Sequence, residues 1–182
     1  MKGLTAGVGI ARQSSTLKRN PAKAGSKPIA AIRNAPSFEG HRPASEASSR
    51  TKKANRHIDT APELLLRREL SRLGLAYRAN VATLPGKPDV VFDNVRVVVF
   101  CDGDFWHGRN WRRLKKDLAS RANASYWIAK IAYNRARDIQ TRRWLRRQGW
   151  HIVRLWESEI RKDPARSAAR IKIAINRLRR IS

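Results

Sequence analysis

Two short apolar runs, Val90-Val91-Phe92 and Val97-Val98-Val99-Phe100, lie four residues apart, and carboxylates stand at their ends. Their β-branched and aromatic content reads as buried strands of one sheet, which constrains the fold more than any other stretch does. Asp89 opens the first run; Asp102 and Asp104 close the second, with His107 just beyond. Charge placed beside a core is costly, so such a cluster points to a site. Two carboxylates that meet can hold a divalent cation, and a nearby imidazole can take a proton from water. That is the chemistry of phosphodiester hydrolysis.

Register decides whether these groups meet. A two-residue turn at Asp93-Asn94 pairs Phe92 with Val95 and leaves Asp89 opposite Val98, too far from Cys101 and Asp102 for a shared metal. A four-residue loop over residues 93–96 pairs Phe92 with Val97 and sets Asp89 opposite Phe100, beside Cys101. The longer loop is the one expected.

Around this hairpin the order of elements predicts a mixed α/β layer fold. Thr60-Ala61-Pro62-Glu63 has capping-box spacing with proline in the first turn, and Leu64, Leu65, Leu66, Leu70 and Leu73 continue a helix that Gly74 stops. Residues 76–80 suit a short strand and 84–88 a turn. Residues 108–124 read as a basic loop. A long helix is expected from about 125 to 147, with an apolar face of Trp127, Ile128, Ile131, Ala132, Ile139 and Leu145. Arg135 and Asp138 fall within that face, either as an internal ion pair or as part of the site. Residues 150–156 read as a strand parallel to 97–102, because a helical crossover precedes it, and Pro164 opens a last helix.

Forty Lys and Arg against 14 Asp and Glu give the 182-residue chain a formal charge of +26. An excess of that size points to a polyanionic partner, with DNA or RNA foremost. No apolar run approaches the roughly 20 residues that span a bilayer, and the basic stretches lack the Trp/Leu face of an interfacial helix. No membrane association is expected. The single cysteine, Cys101, rules out an intrachain disulfide and multi-cysteine zinc modules. The N-terminus lacks the apolar core of a secretion signal. Residues 1–57, rich in Ala, Ser, Pro, Lys and Arg, are expected to be a disordered basic tail, with a folded domain over 58–182. The tail reads equally as a solvated segment or as a non-specific phosphate-binding one, and its first 50 residues also have the composition of a transit peptide.

Each candidate side chain has an ordinary reading beside the chemical one. Asp89 could cap a turn, yet it follows Gly86-Lys87-Pro88, whose backbone can approach a phosphate, and other acids cluster downstream. Glu63 is explained as readily by the capping box as by a site. His107 could be a loop histidine, but it lies five residues after Asp102, a spacing that suits a base. Phe105 and Trp106 could pack on the core or wedge between base pairs.

Taken together, Pro85-Gly86-Lys87-Pro88-Asp89, Val99-Phe100-Cys101-Asp102-Gly103-Asp104-Phe105-Trp106-His107-Gly108, Tyr126-Trp127-Ile128-Ala129-Lys130-Ile131 with Asn134, Arg137 and Asp138, then Gly149-Trp150 and Leu155-Trp156-Glu157 form an ordered set. Over about residues 59–160 it resembles the very short patch repair endonuclease family. The resemblance implies a restriction-endonuclease-like three-layer fold and Mg²⁺-dependent nicking of double-stranded DNA at or beside a T·G mismatch. It implies Asp89 as a metal ligand, Cys101 as a ligand through its backbone carbonyl, Asp102 as a second carboxylate, His107 as the base and Glu63 as a support. Phe105 and Trp106 would intercalate, while Lys87, Arg109, Arg112 and Arg113 would bind the DNA backbone. The family's structural zinc is held at positions that correspond here to Asp104, Arg109, Trp111 and Ser158, so no structural zinc is expected.

The partners expected are double-stranded DNA and other repair proteins, with the chain a monomer acting at the nucleoid in a bacterial cytoplasm. Two other readings stay open: a nuclease of host defence or a mobile element without mismatch preference, and a catalytically silent DNA-binding protein on the same scaffold.

Overall fold

The computed structural model describes residues 35–40 and 58–181; the expected tail, apart from 35–40, lies outside the described residues. Helix α1 (Ala61–Arg72) starts after an extended Thr60, with Pro62 in its first turn. It buries Glu63, Leu66 and Leu70 at helical spacing, while Leu64 and Leu73 of the expected apolar set face solvent. Strand β1 (Arg78–Ala79) is shorter than the expected 76–80. It holds the sheet edge, where Arg78 clamps Asp93 through two bonds of 2.6 and 2.7 Å.

Strand β2 (Val90–Phe92) pairs antiparallel with β1 and with β3 (Val97–Asp102). The pairs Phe92–Val97, Val91–Val98 and Val90–Val99 are those of the four-residue connection. A single 3-10 turn (Asp93–Val95) fills that connection, with Arg96 left-handed at φ 51°. Strand β4 (His151–Trp156) lies parallel to β3, completing a mixed sheet of order β1-β2-β3-β4. The parallel pairing is what a helical crossover imposes.

The expected basic loop over 108–124 contains a helix, α2 (Trp111–Ala119). Trp111, Leu114 and Leu118 recur at helical spacing, and Leu118 is fully buried while the Arg and Lys residues between them point outward. Charge density hid a three-residue apolar stripe.

Helix α3 (Ala124–Arg147) crosses one face of the sheet. Tyr126, Ile131, Asn134 and Leu145 are its buried residues, whereas Ala132 and Ile139, expected inside, are exposed. At about 100° per residue, Asp138 lies about 20° from Ile131 around the axis and Ile139 about 80°. The mid-helix therefore turns Asn134 and Asp138 inward.

Helices α4 (Glu157–Lys162) and α5 (Pro164–Arg179) cover the other face with α1. Asp163 caps α5 by accepting from Arg166 N at 2.8 Å. One core joins Leu66, Leu70, Val97, Val99, Leu155 and Ile171; a smaller one joins Val91, Val98 and Leu145 under α3. Among the described residues no helix is long and apolar enough to cross a membrane.

Candidate active site

The antiparallel register brings the start of β2 to the end of β3. Asp89 N–H donates to the Val99 carbonyl at 3.0 Å, and Asp89 Oδ2 accepts from Cys101 N–H at 2.6 Å. Glu63 approaches from α1. Its carboxylate accepts from the Thr60 hydroxyl at 2.7 Å, from Asp59 N–H at 3.0 Å and from Arg67 at 3.3 Å. Thr60 itself makes no side-chain cap bond, and Glu63 accepts from the N–H of Asp59 and not of Thr60, so neither half of a capping box forms.

Burial pushes the Asp89 carboxyl up to about 7, with Glu63 and Asp102 adding to the rise against the Cys101 N–H and His107. An acid cluster of that kind favours either a proton or a cation in its midst. The Cys101 thiol is pushed well above its usual range by burial and by the same three carboxylates. With no metal cation beside it, it is a neutral thiol.

A second group meets across β3, α3 and the loop between β3 and α2. His107 Nδ1 lies 2.6 Å from Asp138 Oδ2 and 3.5 Å from Asp102 Oδ1. One ligand atom from each of the three falls within 4.8 Å of the others. Asp102, 5% exposed, also accepts from Arg154, whose guanidinium lies 3.9 Å over the Trp156 ring.

Burial alone would lower the His107 imidazole, but the Asp138 bond and the Asp102 and Asp138 charges outweigh it and raise it above 6.5. Burial likewise opposes ionisation of Asp138, and the His107 bond reverses that, leaving Asp138 below the usual carboxylate range. With Nδ1 engaged by carboxylates, the proton belongs on Nδ1 and Nε2 is the nitrogen left for proton transfer.

Lys87, Phe100, Asp102, His107, Asp138 and Arg142 line a cleft of about 370 Å³. Arg142 is held below the ordinary arginine value, first by burial and then by Arg154. Gly86 shapes the rim: a Cβ there would come within 2.6 Å of Thr141, and its φ is +79°.

The other candidates are dispersed. Phe105 and Trp106 stack edge-on at 5.2 Å, and each packs on Trp127, at 5.8 and 5.9 Å. Tyr126 and Phe38 extend the array. Trp106 stays 40% exposed, so the pair is supported from below and open above. Arg112 and Arg113 are exposed on α2, beside a second open groove with Trp111, Arg135 and Trp156. Arg109 points inward to Asp104, Ser158 and Glu159.

Sequence reasoning left three contributors unassigned. Asp138 was visible as a polar residue on an inward helix face. Asn134, one turn earlier, donates to the Trp106 carbonyl at 3.0 Å. Arg154 had only strand alternation to mark it.

A family model described as DNA mismatch endonuclease Vsr matches residues 43–113. A type II nicking enzyme of Neisseria meningitidis serogroup C is 35% identical over 130 residues, covering 71% of this chain and 86% of its own. Another, from Haemophilus parainfluenzae, is 39% identical over 124 residues, covering 68% and 86%. The DNA mismatch endonuclease Vsr of Escherichia coli K12 is 37% identical over 103 residues, covering 57% and 64%.

Proposed function

The chain belongs to the DNA mismatch endonuclease Vsr family, and on that premise we propose that this DNA endonuclease nicks one strand of duplex DNA by Mg²⁺-dependent hydrolysis at or beside a T·G mismatch. The observation that carries the reading is the Asp102–His107–Asp138 cluster where β3 and α3 meet, with Asp89 at the start of β2 near enough to feel the charges of Asp102 and His107. Asp89, Asp102 and the Cys101 carbonyl would hold the cation, with Glu63 supporting Asp89. Their chemistry fits, because the oxygen donors suit a hard divalent ion and Asp89 is raised to about 7 without one. When bound there, Mg²⁺ supplies charge stabilisation to the phosphoryl oxygens.

His107 accepts the proton of the attacking water at Nε2, and Asp138 holds the ring through Nδ1. Lys87 and Arg142 face the cleft as cations for the phosphate. Arg112 and Arg113 contact the flanking backbone, with affinity falling as salt rises. Phe105 and Trp106 wedge into the base stack from their Trp127 platform. In this reading residues 58–182 form the endonuclease domain, a monomer, and 1–57 a basic tail; the site of action is the bacterial nucleoid, beside other repair proteins.

The pH profile tests the base. A general base works when neutral, so nicking at saturating Mg²⁺ rises with pH through the His107 midpoint, which the Asp138 bond holds up. In Asp138→Asn that contribution disappears while burial remains. The midpoint moves to lower pH and the plateau rate falls at least about tenfold. An unmoved midpoint in single-turnover nicking from pH 5.5 to 9 removes His107 from the role.

A second reading is a nuclease of host defence or a mobile element without mismatch preference; relatives named type II nicking enzymes support the nicking that both readings share. Matched T·A and mismatched T·G duplexes of one sequence separate the two. The wild type is expected to nick the T·G duplex at least about 100-fold faster, and Trp106→Ala to shrink that ratio, because the wedge gains most where pairing is already weak. Equal rates on both duplexes favour the host-defence reading, and binding without nicking on either favours a silent scaffold.

A further inference from the structure

The loop over residues 103–110 carries Phe105, Trp106 and His107, and its bonds run to both neighbouring layers. On one side α3 holds it: Asn134 donates to the Trp106 carbonyl, and Arg135 donates to the Gly108 carbonyl at 2.8 Å. Gly108 permits the approach, since a Cβ there would meet Arg135 at 2.8 Å. On the other side the loop is tied to the first turn of α4. Asp104 Oδ1 accepts from Arg109 at 2.9 Å and from the Ser158 hydroxyl at 2.8 Å, while Oδ2 accepts from Ser158 N–H at 2.9 Å. Arg109 also bonds Ser158 and reaches Glu159 at 3.1 Å, lying 5.8 Å over Trp156. Arg109 N–H closes the ring onto the Asp104 carbonyl at 2.8 Å.

Asp104, Arg109, Trp111 and Ser158 are the positions at which the family resemblance places structural zinc ligands. They do not fit zinc. Both Asp104 oxygens already accept hydrogen bonds, Arg109 puts a permanent cation among the donors, and Trp111 offers no ligand atom and stacks instead with Arg135 at 5.6 Å. Three of the four positions that would hold an ion hold one another instead.

We propose that Asp104, Arg109 and Ser158 form a metal-free clasp that positions the His107 loop, with Arg109 as its central positioning residue and not a DNA-backbone contact. The clasp rests on the reading of this loop as the reactive one, and it refines that reading by removing zinc from the protein's requirements. Charge-assisted bonds across about 50 residues of sequence separation do what a coordinated ion would do: they fix the exit of β3 against the start of α4. The clasp couples to chemistry through geometry, because a loop displaced by about 1 Å carries the His107 nitrogen away from its water.

The test uses the full chain in three measurements. Metal analysis of the purified protein is expected to find less than about 0.1 zinc per chain, and a zinc-selective chelator is expected to leave Mg²⁺-supported nicking unchanged. Arg109→Ala is expected to lower the single-turnover rate at saturating DNA at least about tenfold, with DNA affinity and its salt dependence held within about twofold. Arg109→Lys, which keeps one Asp104 pairing, recovers part of the rate.

Hydrogen exchange at the His107 and Gly108 amides is expected to quicken at least about tenfold in Arg109→Ala and, to a smaller extent, in Ser158→Ala. That readout needs no nicking, so it separates failure of the clasp from failure of the functional reading. Stoichiometric zinc overturns the proposal. So does unchanged exchange in both variants, or an Arg109→Ala protein that loses affinity and salt dependence while keeping its rate. If Arg109→Ala fails to fold, Ser158→Ala carries the exchange measurement alone, and unchanged exchange there overturns the proposal equally.

Discussion

Asp89→Asn is expected to reduce nicking at least about 1,000-fold while leaving DNA affinity within about threefold, because one ligand of a hard divalent ion is lost and no backbone-contacting cation is touched. The same variant is expected to be more stable than the wild type in metal-free buffer at pH 8. The folded Asp89 carboxyl titrates near 7, against 3.8 for the free group. Between those values the folded protein binds the extra proton, so its stability falls as pH rises from about 4 to about 7, and the whole cost is present above 7.

At about 1.4 kcal/mol for each pH unit, that cost is on the order of 4 kcal/mol. Asparagine keeps an acceptor for the Cys101 N–H and carries no charge, so the cost disappears. Thermal melts from pH 4 to 9 check it: the two proteins converge at the acid end, draw apart between about 4 and about 7 and keep a constant gap above that, with Mg²⁺ raising the wild type alone. A variant less stable than the wild type at pH 8 contradicts the assignment of Asp89 as a buried, uncompensated acid.

His107→Ala carries the second large effect. Removal of a general base lowers the rate by roughly 100- to 10,000-fold, and the cleft it leaves is lined by Asp102, Asp138 and Arg142. Free imidazole added to this variant is expected to restore part of the rate, with a pH dependence set by the added base. The fold should tolerate the change, since His107 is 25% exposed and its own backbone N–H remains bonded to the Gly103 carbonyl at 3.1 Å. If the variant nicks at the wild-type rate, proton transfer belongs elsewhere and His107 is a loop residue that steadies Asp138.

Where the sequence proved readable, the information was local or enforced by pairing. Thr60-Ala61-Pro62 marked the start of α1, and the four residues after Phe92 set the register that puts Asp89 beside Cys101. The parallel β4 followed from the crossover alone.

What stayed hidden depends on where a helix lies over a sheet. His107 and Asp138 are 31 residues apart, and only the path of α3 across the end of β3 joins them. Asp138 stood on the expected inward face beside Arg135, but it bonds His107, while Arg135 bonds the Gly108 carbonyl. Arg154 was hidden similarly, since alternation along β4 says which face it takes and nothing about Asp102. In α2 the difficulty was compositional: cations around Trp111, Leu114 and Leu118 masked a stripe with one fully buried residue. Arg109 shows a further limit. A cation in a basic chain reads as a DNA contact by default, and only the coordinates reveal that its guanidinium is already engaged by Asp104, Ser158 and Glu159.

The most direct test of a metal-dependent nicking site at the β2–β3–α3 junction is one gel-resolved experiment. A strand-labelled T·G duplex is incubated with wild type and Asp89→Asn across a Mg²⁺ titration at pH 8, under single-turnover conditions. The wild type should give one strand-specific nick that appears only with Mg²⁺ and saturates with it, and Asp89→Asn should give none at any concentration while still shifting the duplex in a binding assay. Nicking by Asp89→Asn at the wild-type rate, or wild-type nicking that persists in a chelator of divalent ions, contradicts the site.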